Sequence, residues 1–312
     1  MADLLALSSR IIDEDLSDEP TNRVTQELSE VSDEIAVVES FSHVVALRTP
    51  GGLVAFDTSG AQTGVQCVES LRAWSSDPIS HLVYTHGHVD HVGGSGAFVA
   101  DAEHRGHPRP QVVAHEAVHD RFERYRLTDG WNLAINMRQF GWLPRATNLG
   151  IGGLQRFLPE DVAEPDVSYR DLLALDAGGM PIELHHARGE TDDHTWAWLP
   201  EQKAICAGDF LIWNFPNAGN PQKVQRYPDE WAVALRTMAA MEPELFLPAH
   251  GLPIAGRERI ATVLDEVASA LEALVEGALE RMNAGARLDQ ILQEAKVPES
   301  VLARPFLRPF YD

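Results

Sequence analysis

Positive charge is what this 312-residue chain has least of: 25 lysines and arginines stand against 47 aspartates and glutamates, a formal net charge of −22. Binding a phosphate backbone needs clustered cations, so nucleic acid is excluded as a partner. An anionic membrane surface is excluded on the same ground. A small anionic substrate is not, because a bound metal can supply local positive charge. Cysteine is also scarce. Cys67 and Cys206 lie far apart in apolar surroundings, which suits buried thiols and not a disulfide framework. No run approaches 18 apolar residues, so no membrane-spanning helix is expected. The N-terminus has no basic segment followed by an apolar one, so the expected location is cytoplasmic. Repeats and low-complexity tracts are absent by inspection.

Apolar residues make up 44% of the chain, enough for a sizeable core. Residues 1–34 are acidic and polar and read as a loosely held lead-in. Short β-rich runs follow from residue 35, with Pro50-Gly51-Gly52 as a turn between two of them. SGAQTGVQCVESLRAW, from Ser59, has helical spacing and stops before Pro78. HLVYTH reads as a buried strand, QVVAH (111–115) as another, and EAVHDRFERYRL as a helix. Residues 127–165 are rich in glycine, asparagine and aromatics with weak periodicity, which reads as an irregular, lid-like insertion. Strand signals return at 181–186, 194–199, 203–207 and 244–250, with a helix from Trp231. Residues 257–312 form a helical extension. Its apolar stripe fits packing either on its own core or on another subunit, so a homo-oligomer is open. Strands in both halves with helices between them suggest two packed sheets with helices outside, spanning 35–256.

THGHVDHVGG, from Thr85, is where the chemistry concentrates. Zinc takes histidine nitrogen and carboxylate oxygen, usually with four ligands. His86 and His88 are two apart on an extended stretch, so both rings face one way. Asp90 and His91 follow at the turn and suit a second metal beside the first. Gly93 and Gly94 are expected to let the backbone turn sharply into a helix. Four ligands in one loop cannot close two sites. Further candidates stand at strand ends: Glu190 in GETDDH, Asp209 in CAGDF and His250 in LPAHG. His115 and His119 read as scaffold.

With H-x-H-x-D-H, a strand ending Gly-Asp and a strand ending His-Gly in that order, the chain resembles the metallo-β-lactamase superfamily. The resemblance implies an α/β fold, a four-layer αβ/βα sandwich with a dinuclear metal site along one edge. His86 and His88 would bind one metal and Asp90, His91 and His250 the other, with Asp209 as the bridging carboxylate. Many members carry histidine where this chain has Glu190, and His194 is the alternative ligand there. Glutamate at that position resembles the zinc alkylsulfatase branch, whose two carboxylates also stand 19 residues apart, as Glu190 and Asp209 do here. Asn217, Lys223, Arg226 and Trp231 match that branch as well.

The resemblance implies a dinuclear zinc hydrolase using a metal-bridging hydroxide, with iron or manganese as alternative metals. Alkyl sulfate esters are the expected substrates. A lactonase, thioesterase or β-lactamase-like enzyme is the alternative, and an iron-dependent oxidoreductase of the same fold a further one. Two zinc ions bring four positive charges; Asp90, Glu190, Asp209 and a hydroxide cancel them. A sulfate ester would then need added cations, for which Arg138, Lys223 and Arg226 are candidates. Asp90 and His194 are the expected catalytic groups beside the metals, His194 as a proton shuttle or a support behind the ligands. Trp142 and Trp213, with Trp131 and Phe157, are expected to line a pocket for an apolar substrate portion, although core packing is an equal alternative for each.

Overall fold

The strands read as apolar runs because most are buried on both faces. A computed structural model describes residues 3–140, 156–220 and 223–309 of the chain. It opens with α1 (Leu4–Asp13) and the strands β1 (Leu28–Glu30), β2 (Ile35–Val38), β3 (Val44–Thr49) and β4 (Gly52–Phe56). Next come α2 (Gly64–Trp74), β5 (Ile79–Val83), α3 (Val89–Val92), α4 (Ser95–Arg105), β6 (Gln111–His115), α5 (Ala117–Leu127), α6 (Asp129–Phe140) and β7 (Val167–Tyr169). The second half holds β8 (Leu172–Asp176), β9 (Pro181–His186), β10 (Thr195–Leu199), β11 (Ala204–Gly208), α7 (Pro228–Ala240), β12 (Leu245–Pro248) and β13 (Ile254–Ala255). It ends with α8 (Arg257–Asn283), α9 (Leu288–Glu294) and α10 (Glu299–Leu302).

β1 to β7 form one sheet in sequence order, and β13-β12-β11-β10-β9-β8 form the other. Alternate side chains point to opposite faces of a strand. Val45, Leu47, Val54, Phe56, Val83 and Val113 therefore meet Ile182, Leu184, Ala197, Leu199, Cys206 and Leu247 in a core between the sheets. The intervening residues Val44, Ala46, Leu53, Ala55, Leu82 and Val112 pack outward with residues of α2, α4 and α5. Trp196, Ile205 and Phe246 face the other way, onto α7, α8 and α1. The result is the expected four-layer αβ/βα sandwich.

β4, β5 and β6 run parallel, as do β11 and β12. Parallel strands deliver their C-terminal ends to one edge, and loops at that edge are where ligands are bound in such sheets. Asp57, the Thr85–His91 loop, Asp209 and His250 all follow such ends. The two sheets are stitched there by a hydrogen bond from the Thr195 N–H to the Thr85 carbonyl, 2.6 Å.

Several expectations change. The N-terminal lead-in is docked, not loose: α1 buries Leu4, Ile11 and Ile12 in the core beside the second sheet, and Asp3 caps it. β1 then pairs with β2 in register. Its acidic residues sit on the exposed side, which hid the short apolar stripe. Asp129–Phe140 is helical, not irregular. Asparagine lowered the periodicity, yet Asn132 and Asn136 bond back to the turn before them, satisfying their amides within the helix. Residues 141–155, and Trp142 with them, lie outside the described residues. Gly93 and Gly94 have ordinary right-handed φ of −64° and −82°. They serve close approach: a Cβ on Gly94 would stand 2.1 Å from the Thr58 carbonyl oxygen. The stripe of α8 is divided. Ile260, Val263, Leu264, Val267 and Leu271 are buried, whereas Leu279 and Met282 are exposed.

Candidate metal centre

The H-x-H-x-D-H stretch begins where β5 ends. His86 lies in the loop, His88 caps α3, and Asp90 and His91 lie within that single turn. His86 Nε2 and His88 Nδ1 are 2.8 Å apart. Asp209 Oδ2 stands 3.8 Å from His86 Nε2, and Glu190 Oε2 3.7 Å from His88 Nδ1. These four residues form one group able to hold a metal ion. Asp90, His91 and His250 form a second. Asp90 Oδ2 lies 3.5 Å from His91 Nε2 and 3.4 Å from His250 Nε2. Asp209 spans the two groups, since its other oxygen, Oδ1, lies 3.3 Å from His91 Nε2 and 3.4 Å from His250 Nε2.

The electrostatics fit cations. Burial, with neighbouring His91, holds His86 well below its usual pKa, and burial with Arg121 and Arg226 does the same to His88, so both are neutral donors. Burial opposes charge on His91, yet Asp209, Asp57 and Asp90 together push it well above the usual range. His250 is likewise raised to about 10, against burial, by Asp209 and Asp90. Burial raises Glu190 to about 7, and Asp209 adds to this against the pull of Arg226. His91 Nε2 and Asp209 Oδ1 are buried and face each other without a hydrogen bond of good geometry. Buried polar atoms left in this way indicate a missing partner. Nitrogen and carboxylate donors with two orphaned atoms between them fit a divalent metal ion such as zinc, iron or manganese.

Behind the ligands stands a layer the sequence reading missed. Asp57, just past β4, accepts from His91 Nδ1 at 2.7 Å, from the Thr85 N–H at 2.7 Å and from the Thr85 hydroxyl at 2.8 Å. A carboxylate on the far nitrogen of a ligating histidine fixes its tautomer and ring plane. Its signal was AFD, an aspartate ending an apolar strand, the same signature that drew attention to Asp209. His250 Nδ1 donates to the Phe41 carbonyl. His43 bonds the Gly251 carbonyl through Nε2 at 2.6 Å, holding the same loop.

His194 belongs to neither group. Its Nε2 accepts the Asp209 N–H at 3.1 Å, and its ring stacks on Phe210. Burial lowers its pKa to about 3. This geometry braces Asp209. Arg226 binds Glu190, through Oε1 at 3.1 Å and also through the backbone carbonyl. Lys223 donates to Asn136 Oδ1 at 2.9 Å, joining α6 to the site. Its pKa falls to about 8 through burial and the nearby Arg226 charge. Asn217 is buried in the segment between β11 and α7.

Trp213 corrects an expectation. It is 1% exposed and donates through Nε1 to the Leu252 carbonyl at 2.8 Å. Its indole fills the space beside Gly251, so it supports the His250 loop from the core and presents no surface to a substrate. Phe157 is core as well, edge-on to Tyr125. Trp131 is exposed on α6, with the Arg138 guanidinium over its ring at 5.8 Å. His115 stacks on His186 at 3.7 Å, away from both groups, as scaffold.

The sequence pattern of the metallo-beta-lactamase superfamily matches residues 37–250. A linear primary-alkylsulfatase of a Pseudomonas species is 24% identical over 279 residues, which is 85% of this chain and 52% of the relative. A stereoselective inverting sec-alkylsulfatase, also from Pseudomonas, superposes with a TM-score of 0.76 at 20% identity, over 92% of this chain and 48% of that one. A metallo-beta-lactamase from Pontibacter korlensis gives 0.50 at 18% identity, over 79% of this chain and 98% of that one. This chain thus spans about half the length of the alkylsulfatases it matches, and at these identities the superpositions show a shared fold. Because the matched region runs from the first long strands to His250 and encloses all seven candidate ligands, the chain belongs to the metallo-β-lactamase superfamily.

Proposed function

We propose that this protein is a metal-dependent hydrolase that cleaves alkyl sulfate esters at a two-zinc centre. The observation that carries the reading is the split of Glu190: one oxygen faces His88 and the other is fastened to the buried Arg226. A histidine there would offer Arg226 nothing. The likeness to two alkylsulfatases supports the sulfate ester as substrate. His86, His88, Glu190 and Asp209 would hold one ion, and Asp90, His91 and His250, with the second oxygen of Asp209, the other. Two such ions supply Lewis acidity and make a shared water acidic near neutral pH.

The chain's own residues do the rest. With Glu190 and the other carboxylates offsetting the ions, the anionic ester relies on Arg226 and Lys223, which meet beside Glu190, for attraction. Asn217 adds a neutral donor in this reading. Asp90, in contact with His91 and His250, is the carboxylate available to hold a proton at the attacking side. His194 keeps Asp209 in place and carries no proton to the substrate. Lys223, tied to Asn136, brings α6 beside the site, and in this reading that helix borders the space for an apolar alkyl portion.

The test is zinc content of protein purified without added metal, together with a panel of alkyl sulfates, lactones, thioesters and β-lactams. About two zinc per chain and turnover of a sulfate ester are expected. A fully loaded protein that turns over a lactone or thioester and no sulfate ester would overturn the substrate assignment. One iron per chain would overturn the hydrolase itself.

A further inference from the structure

We infer that the buried pair Arg121–Asp193 is a positioning device for the first ligand group, fixing His86, His88 and Glu190 relative to one another. The inference rests on the two-metal reading above. Asp193 is fully buried and Arg121 is 2% exposed. One oxygen of Asp193, Oδ2, accepts both the Gly87 N–H at 3.0 Å and Arg121 Nε. Gly87 is the residue between His86 and His88. Asp193 is three residues past Glu190. Asp193 therefore belongs to one of the two stretches that supply three of the four donors in that group and hydrogen-bonds the other.

The consequence is geometric. His86 and His88 flank Gly87, so a tilt of the peptide there swings the two rings apart. With their donor atoms only 2.8 Å from each other, a small tilt separates them. Asp193 stops that tilt. Arg121, on α5, holds Asp193 in turn and also binds Asp192. The packing leaves no slack: a Cβ on Gly87 would meet Arg121 Cδ at 2.7 Å and Asp193 Oδ2 at 3.0 Å. A buried ion pair is a poor source of stability, since apolar groups of the same volume often do as well. Its value lies in direction, because a charged acceptor and a forked donor fit one arrangement. Arg121 Nη1 is buried without a hydrogen bond among the described residues, a cost that apolar packing would avoid.

The experiment measures zinc affinity by chelator competition and the visible spectrum of the cobalt-substituted protein. Asp193→Ala should weaken zinc binding about ten- to a hundredfold and shift the cobalt bands. Asp193→Asn should recover most of the affinity, because its amide oxygen still accepts the Gly87 N–H. Asp101→Ala breaks Arg72–Asp101, an ion pair between α2 and α4, and serves as the control. It should lower the melting temperature and leave zinc affinity and spectrum unchanged. If Asp193→Ala does not fold, Arg121→Lys carries the test, with a loss of about threefold or more expected. Wild-type affinity and an unshifted spectrum in a destabilised Asp193 or Arg121 variant would make the pair purely structural and overturn the inference. Wild-type protein that binds neither zinc nor cobalt would overturn the two-metal reading first, and this inference with it.

Discussion

The two ligand groups share Asp209 yet are prepared for a cation in different ways. The first offers two neutral imidazoles, a Glu190 raised by burial, and a guanidinium on that glutamate's far oxygen. The second stores its positive charge as protons on His91 and His250, held there by Asp209 and Asp90. The backing differs too. A backbone N–H and a buried ion pair steady the first group, whereas the carboxylate of Asp57 and the Phe41 carbonyl steady the second. On the two-metal reading, filling the two halves would therefore exchange different things: protons would leave the second, while the first would mainly gain its ion.

The largest disruption of this comparison is Asp209→Ala, which removes the shared member. Both ions should be lost and sulfate ester turnover should fall at least about a thousandfold, read by metal analysis and initial rates. Trp213→Ala attacks the support of the second half alone. It should cost about 3–5 kcal/mol of stability in denaturant unfolding. The His250 side should loosen before the His86 side, visible as partial metal loss. Asp57→Asn should weaken the second ion about ten- to a hundredfold in chelator competition and the first much less, because Asp57 reaches His91 directly and His86 only through the Thr85 hydroxyl. A uniform loss from both halves would break the comparison.

The smallest signal is the proton balance. In metal-free protein the pKa of His250 is raised from 6.5 to about 10. A raised folded-state pKa contributes stability that is fully present below pH 6.5 and is lost as pH rises through 10. The metal-free protein should thus lose stability across that window, and the loss should shrink in His250→Gln to the part carried by His91, which is raised in the same direction. At pH 7.5, zinc binding should release about two protons per chain from His91 and His250, in addition to about one from the shared water. Weakly buffered calorimetry reads this, and no release beyond that from the water would mean that the second half is not charged in the way described.

Much of this was legible in the sequence, and the remainder was hidden for identifiable reasons. QVVAH and PIELHH coincide with β6 and β9: the first is a strand buried on both faces, written as an apolar run, and the second alternates, with Ile182 and Leu184 buried between more exposed neighbours. The seven candidate ligands converge because each carries its signature locally, at a strand end or within one loop. Asp57 and the Arg121–Asp193 pair were missed because their meaning is relational. Asp193 stands inside GETDDH, where four of six residues are ionisable, and nothing local says which faces the core. α1 was missed because its stripe of Leu4, Ile11 and Ile12 is short and is followed by acidic residues. Trp213 was misread because an indole beside a glycine loop looks the same in sequence whether it faces substrate or core.

The hydrogen bond from Thr195 to Thr85 at the sheet edge bears on how the protein assembles. His86, His88, Asp90 and His91 come from one half-sandwich, and Glu190, Asp209 and His250 from the other. Neither half contains a complete ligand group, so tight metal uptake must follow docking of the two halves. On the two-metal reading a bound ion would act as a rivet across the seam between them, and the rate at which the folding chain captures metal would report the last step of assembly.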